Sequence, residues 1–411
     1  MTATAAILAW RSLWRHRRRT LITLASIGVG LSFVVFFLSL AEGLYAQLVR
    51  DAVRLGAGHL TLEDERYRDA PAVDLRVRDA DALRARVAAL PGVETTKLLV
   101  LGQGVARSGT DAVGVSVMGI EPSVEARTSP LARKIVEGRF LEDSDEARVL
   151  VGRQLADRLR LGEGRKLVLA TNDTNGALVE ALFRVQGIFE TGAEEIDGYL
   201  VQAPVNDIRR VFGLAAGEVT QLGVVLADPD AQEQVHDVLL RSAAGGGIAV
   251  RRWQELLPEL AAFIRLDRVS DGTFEGLLLL LVLFTIFNTI LMSVLERERD
   301  FAVLLAIGTP PGLLAMQLFF EALILGVLGS ALGLTLGGAV SQYVHVHGWD
   351  LSSLYEDGLS ISGLAVSTRV HALVRPSLLA FLGTVVCVAT VVLGLLPMRR
   401  ALRIRIADTL R

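Results

Sequence analysis

The 411-residue sequence is 51% hydrophobic with a mean hydropathy of +0.45, yet 21% of it is charged. That is too apolar for a typical soluble protein and too charged for one that is all membrane, so a mixture of membrane spans and a water-facing domain is expected. A net charge of -3 argues against nucleic acid as a partner, and the single cysteine, Cys387, allows no intramolecular disulfide, so any outer domain must stand on its own core.

Residues 1–20 are basic, with Arg11, Arg15, Arg17, Arg18 and Arg19; Trp10 and Trp14, one turn apart, suit an interfacial helix. Residues 21–41 form an apolar run long enough to span. A cleaved signal peptide is the rival reading, with a faint twin-arginine pattern at Arg18-Arg19, but the run is long for a signal and Ser39-Leu40-Ala41 is a weak cleavage site. From 42 to 271 charges recur too often for any span, and a mixed α/β domain is expected, arranged in one or two lobes with a soft boundary near 119–130. Strands are predicted at 59–62, 73–77, 113–118, 166–169 and 222–226, and helices at 79–90, 154–161 and 230–240. Gly245-Gly246-Gly247 reads as a tight turn, since no Lys-Ser or Lys-Thr follows to make a phosphate loop.

A second span is expected at 272–295. It ends at five consecutive charges, Glu296, Arg297, Glu298, Arg299 and Asp300. Each would cost roughly 2.5–3.5 kcal/mol at mid-bilayer, so the chain must leave the membrane there. Helix-forming residues then run to Gly308, Pro310 and Pro311, which predicts a short helix within 296–312 where a partner could push; an ordinary charged loop is the alternative. Further spans are expected at 313–340 and 377–397, with a loop at 341–376 and a tail at 398–411. The arginines at the N-terminus, in the charged stretch and in the tail (Arg399, Arg400, Arg403, Arg405, Arg411) place both termini and that stretch in the cytoplasm, and the large domain outside.

No catalytic motif is present. There is no G-x-x-x-x-G-K-[ST], no H-E-x-x-H, no cysteine pair and no G-x-S-x-G. His345 and His347, near Asp350 and Glu356, could share a metal-ligand face on a strand but not on a helix, and are read as interfacial residues with no metal expected. Asn172-Asp173-Thr174 reads as turn chemistry. Within the spans, Glu321 is an intramembrane carboxylate with Gln317 one turn before it; pairing with Arg297 or Arg299 near the interface is the favoured reading. Asn288 is read as a helix–helix hydrogen-bonding residue. Gly326, Gly329, Gly333 and Gly337 form a small face that allows close helix approach, within the subunit or across a dimer.

One span, a large domain and three further spans resemble the FtsX/MacB-like permeases of ABC transporters, most closely the lipoprotein-releasing (LolC/LolE-like) permeases. The resemblance is carried by Asn288, Ser293-Val294-Leu295-Glu296-Arg297, Asp300 and Ala306-Ile307-Gly308, then Glu321 with Gly326, Gly329 and Gly333. The tail from Leu396 to Arg405 and Asp408 to Arg411 is similar to the family's closing motif, and residues 137–141, 149–152 and 185–189 to its periplasmic core. Asp300, Ala302 and Leu305 stand where the family usually has Glu, Gly and a basic residue; the acidic group and the small residue survive, and the base is lost.

The resemblance implies an inner-membrane, non-catalytic subunit whose coupling helix docks a cytoplasmic ABC ATPase dimer through Glu296, Arg297, Arg299, Asp300, Phe301, Leu304, Ala306 and Gly308. Phe301, Leu304 and Leu305 would bury against the partner or the membrane. No ATPase module precedes the first span, so ATP and Mg would be bound by a separate chain and no cofactor by this one. The second and third spans, tied by glycine packing, would pass the motion outward, to release a lipoprotein or export another amphiphile. A second permease copy or paralogue, and a periplasmic lipoprotein carrier or adaptor, are the further expected partners. The alternative is an FtsX-like transducer that activates an envelope enzyme without transport.

Overall fold

A computed structural model describes residues 2–15, 17–109, 111–243, 247–350, 359–361, 364–366 and 369–401. Glu356, Gly245, Gly246 and tail residues 402–411 lie outside the described residues. The chain forms two compact units, one of residues 1–46, 265–351 and 369–411, the other of residues 47–264 and 352–368.

The first unit is helical. Among the described residues four helices are long and apolar enough to cross a membrane, one ahead of the α/β unit in sequence and three after it. They are Arg17–Leu55, Pro258–Glu296, Pro311–His347 and Pro376–Ala401. The first two have 39 residues each, about 58 Å at 1.5 Å per residue and nearly twice the hydrocarbon thickness. Both outrun the spans expected at 21–41 and 272–295. Leaving the bilayer ends the apolar run, but the helix continues while its residues favour it and an apolar stripe finds cover. Beyond Gly43 no glycine or proline interrupts the first helix before Gly56, and Tyr45, Leu48, Ala52 and Val53 are buried. The N-terminal helix Thr2–Arg15 is amphipathic as expected: Ala5, Ala9 and Leu13 are buried, while Ile7, Trp10 and Trp14 are exposed. His345 and His347 lie on the third spanning helix, where two residues apart means opposite sides. Their Nδ1 atoms meet the backbone carbonyls of Ala372 and Tyr343 at 2.7 and 3.1 Å.

The second unit is built on one ten-stranded sheet. Its strands are β1 (Leu60–Asp64), β2 (Val93–Arg107), β3 (Ala112–Ile120), β4 (Ile135–Gly138), β5 (Arg148–Gly152), β6 (Lys166–Asn172), β7 (Leu178–Phe189), β8 (Leu200–Pro204), β9 (Gln221–Leu226) and β10 (Ile248–Arg252). The order is β10-β1-β9-β2-β3-β8-β5-β7-β4, with β6 bridging β2 and β7. The 15-residue β2 is the keystone. Its first half pairs with β9, ending at Leu99↔Gln221, and its second half pairs with β3 from Val100↔Gly119 onward. The soft boundary expected near 119–130 is therefore no break. β3 runs through Ile120 in the same sheet, and Pro122–Thr128 follows as a helix.

Four of the five predicted strands fall within β1, β3, β6 and β9 or overlap them, and the three predicted helices appear as Ala80–Ala88, Arg153–Leu159 and Gln232–Ala243. The strand expected at 73–77 is absent; only an isolated bridge, Val77↔Val219, forms there. Its alternation reflects burial with no ladder beyond that one bridge: Leu75 and Val77 are 8% and 1% exposed. One core face gathers Leu62, Val100, Val117, Val151, Ile208 and Phe212, and a second cluster gathers Leu99, Ile120, Leu131, Leu150 and Phe189.

His59 is 4% exposed, and its Nδ1 accepts the Leu226 N–H at 3.1 Å. Burial, then the nearby Arg54 charge, pushes its pKa down to about 4. Between pH 6.5 and 4 the unfolded chain therefore binds a proton that the folded chain refuses. The stabilisation is complete above about 6.5 and lost as pH falls toward 4, by up to about 3 kcal/mol. Thermal unfolding of the α/β unit followed against pH is expected to show this loss. In His59→Asn, which keeps an acceptor and removes the titration, the slope should flatten; an unchanged slope would assign the acid sensitivity to other groups.

Candidate functional site

The charged stretch folds as a helix set off at both ends. Arg297 leaves the helical region at φ −103°, ψ 10°, which separates Pro258–Glu296 from the nine-residue helix Glu298–Ala306. At the far end Gly308 takes φ +95°. Its N–H donates to Leu305 O at 3.1 Å and the Thr309 N–H to Leu304 O at 3.0 Å, the two bonds of a Schellman cap. Only glycine takes that φ without a Cβ penalty. Pro311 then sits at the first position of the next helix, where a missing N–H costs nothing.

The inner side of this short helix is sealed by its own chain. Phe301 and Ala302 are 1% and 0% exposed, and Phe301 packs with Val294, Leu314 and Leu318, with Leu304 and Leu305 at the edge. Of Phe301, Leu304 and Leu305, expected to bury against the partner or the membrane, Phe301 is buried within the subunit and Leu304 and Leu305 are partly buried beside it. The outward residues are Arg299, Asp300, Val303, Ala306, Ile307 and Gly308, with Val303 and Ile307 45% and 74% exposed. Among the described residues, Glu298, Arg299 and Asp300 make no ion pair.

Arg297 turns inward. Its Nη1 lies 2.9 Å from Glu321 Oε1 and 2.7 Å from Ser12 Oγ, and its guanidinium stacks 4.9 Å from the Phe301 ring centre. Gln317 Nε2 donates to the same Glu321 oxygen at 3.1 Å. The pairing expected for Glu321 is present, with Arg297 as the partner. Glu296 remains half exposed and pairs with Arg19 at 2.6 Å, while Arg19 also donates to the Thr289 carbonyl. Ser12 and Thr289 give no signal in the sequence, and Arg19 reads there as one of the basic N-terminal residues. Asn288, expected to bond a neighbouring helix, is exposed and lines an open groove with Arg15, Arg17, Arg18 and Arg19. At the opposite ends of the first two spanning helices, the Tyr45 hydroxyl lies 2.7 Å from Asp267 and 2.6 Å from Asp271.

The glycines join a different pair of helices from the one expected. A Cβ on Gly329 would come within 2.6 Å of Ile27, on Gly333 within 2.7 Å of Leu31 and 3.0 Å of the Gly28 carbonyl, and on Gly337 within 2.8 Å of Val35. These residues lie on the first spanning helix. The stripe thus locks the third span to the first, not to the second, and Gly326 meets Thr390 of the fourth. Gly333→Val is expected to lower stability by about 1–3 kcal/mol through overpacking. Gly338→Val, where a Cβ meets only Leu379 at 4.0 Å, should change it by under about 0.5 kcal/mol. Melting temperatures of the purified chain compare them, and equal losses would remove the stripe's special role.

Comparison with known proteins places this geometry in a class. Residues 20–241 match the MacB-like periplasmic core domain and residues 272–406 the FtsX-like permease C-terminal region. The chain belongs to the MacB/FtsX-like family of ABC transporter permeases. It is 25% identical over 95% of its length, and 94% of the relative's, to the lipoprotein-releasing system transmembrane protein LolC of Neisseria meningitidis. It is also 25% identical to the macrolide export ATP-binding/permease protein MacB of Hyphomonas neptunium, covering 98% of this chain and 60% of that one. Among solved structures, the periplasmic region of MacB from Actinobacillus actinomycetemcomitans aligns with a TM-score of 0.35 and 13% identity, over 50% of this chain and 93% of that one.

Proposed function

We propose that the helix Glu298–Ala306 is the docking element for a separate ABC ATPase dimer, and that the chain transmits ATP-driven motion to its α/β domain to release a lipoprotein or export another amphiphile from the inner membrane. One observation carries this reading. The short helix is braced from within by Phe301, Ala302 and the Arg297–Glu321 pair, and it offers outward charges that make no ion pair among the described residues, beside exposed Val303 and Ile307. A braced helix moves as a body when pushed. Free charges supply register, and the apolar pair supplies area for a partner to bury.

Arginine placement supports a cytoplasmic location for both termini and this helix, with the α/β domain outside. ATP and Mg would then reside on the partner. The first and third spans, joined by the glycine stripe, would carry the displacement, with a second permease copy or paralogue alongside. A relative named for lipoprotein release over nearly its whole length favours that substrate class. Asp300→Lys is expected to abolish co-purification of the ATPase at unchanged expression; full binding by that variant would sink the docking reading. Asp300→Cys should label with a membrane-impermeant thiol reagent only in inverted vesicles, and labelling of intact spheroplasts would reverse the orientation.

A further inference from the structure

The α/β unit holds a cavity of about 360 Å³ that the docking reading does not use, within the size range of small-ligand pockets. Its floor is one face of the sheet: Glu63 on β1, Gln221 on β9, Leu101 on β2, Met118 on β3 and Leu200 on β8. The register sets Glu63 opposite Gln221 and Leu101 opposite Met118, so the polar pair and the apolar patch lie side by side. Trp253, Leu256 and Leu257 close it from one side, and the end of the first long helix from the other. Every lining residue belongs to the 47–264 segment.

Glu63 is out of place in such a lining. It is 1% exposed, and its Oε2 accepts from Gln221 Nε2 at 2.7 Å. Its Oε1 accepts no hydrogen bond among the described residues; Arg251 forms an ion pair with it at 3.7 Å, outside hydrogen-bond distance. A buried carboxylate oxygen without a donor is costly unless a partner arrives. We propose that this cavity binds an amphiphile with a primary amine, its apolar chain lying against Leu101, Met118, Leu200, Leu256 and Leu257 and its ammonium donating to Glu63. The ammonium supplies the hydrogen-bond donor that the Arg251 ion pair, at 3.7 Å, does not. The site stands independently of where an ATPase docks.

Trp253 is a built-in reporter. In the full chain in nanodiscs, with Trp10, Trp14 and Trp349 replaced by Phe, brominated long-chain probes are titrated and Trp253 quenching is read. The matched amine is expected to quench saturably and at least about tenfold more tightly than the alcohol or the carboxylic acid. Glu63→Gln should erase that preference. Leu200→Phe, which fills the cavity and leaves Glu63 in place, should abolish saturable quenching and serves if the first variant does not fold. Equal quenching by the three probes means bilayer partitioning only and overturns the proposal, as does amine quenching unchanged by Leu200→Phe.

Discussion

Lys97→Met is expected to destabilise the α/β unit by about 3–5 kcal/mol, a third or more of the stability typical of a domain. Lys97 Nζ lies 2.8 Å from Glu125 Oε1, and each side chain is 1% exposed. The same ammonium donates to the Arg54 carbonyl in the last turn of Arg17–Leu55, where a cation suits the helix dipole. Burial pushes Lys97 down and Glu125 up, so each group bears its charge in that interior only through the other. Methionine keeps the volume and strands the carboxyl. Lys97→Met with Glu125→Leu removes both charges and is expected to recover most of the loss, short of about 1 kcal/mol for the Arg54 carbonyl. Chemical denaturation of the purified chain compares the two. A single variant as stable as the double would show that the pair carries no buried-charge cost.

Arg297→Met is expected to cost a similar 3–5 kcal/mol, this time in the helical unit. Glu321 is 8% exposed at its side chain and has Arg297 as its only ion-pair partner among the described residues; Gln317 supplies the remaining donor. Arg297 also holds Ser12 and stacks on Phe301, so its loss frees the N-terminal end of the short helix. Arg297→Lys should rescue only in part, because an ammonium lacks the planar fork that reaches several acceptors and stacks on the ring. Arg297→Met with Glu321→Gln should restore folding and yet leave the short helix less firmly held. Melting temperature in detergent is the measurement; a double variant no better than the single would show that the contact is positional and not electrostatic.

These two ion pairs mark how far the sequence could be read. Glu321 was legible as a carboxylate needing a cation, and the charged stretch 24 residues earlier supplied one. Ser12 and Arg19 were not, because they lie 285 and 277 residues from their partners and no local spacing reports such a distance. Lys97 and Glu125 were not legible at all: the sequence predicts no strand over Val93–Arg107 and no helix over Pro122–Thr128. Their burial follows from the first long helix ending against β2, which no period in the sequence encodes.

The short helix shows the same division. Five consecutive charges, a glycine and two prolines announced a short helix after the second span, and a nine-residue helix formed there. Which of its apolar residues face outward was not announced. Phe301, Val303, Leu304 and Ile307 are chemically alike, and only Val294, Leu314 and Leu318 closing over Phe301 left Val303 and Ile307 exposed. The glycine stripe was visible as a surface for close approach, but Ile27, Leu31 and Val35 could not be picked from a span where nearly every residue is apolar.

The sequence by itself determined where the chain can enter and leave a bilayer, that an α/β domain lies between the first and second spans, and that a charged helix interrupts the last three. Those follow from transfer free energies and backbone preferences, which depend on composition and near neighbours. Only the tertiary structure decided that the third span locks to the first, that Arg297 and Phe301 turn inward, and that Glu63 lies in an apolar cavity. Those depend on which distant segments meet, and contact energy is set by the partner as much as by the residue.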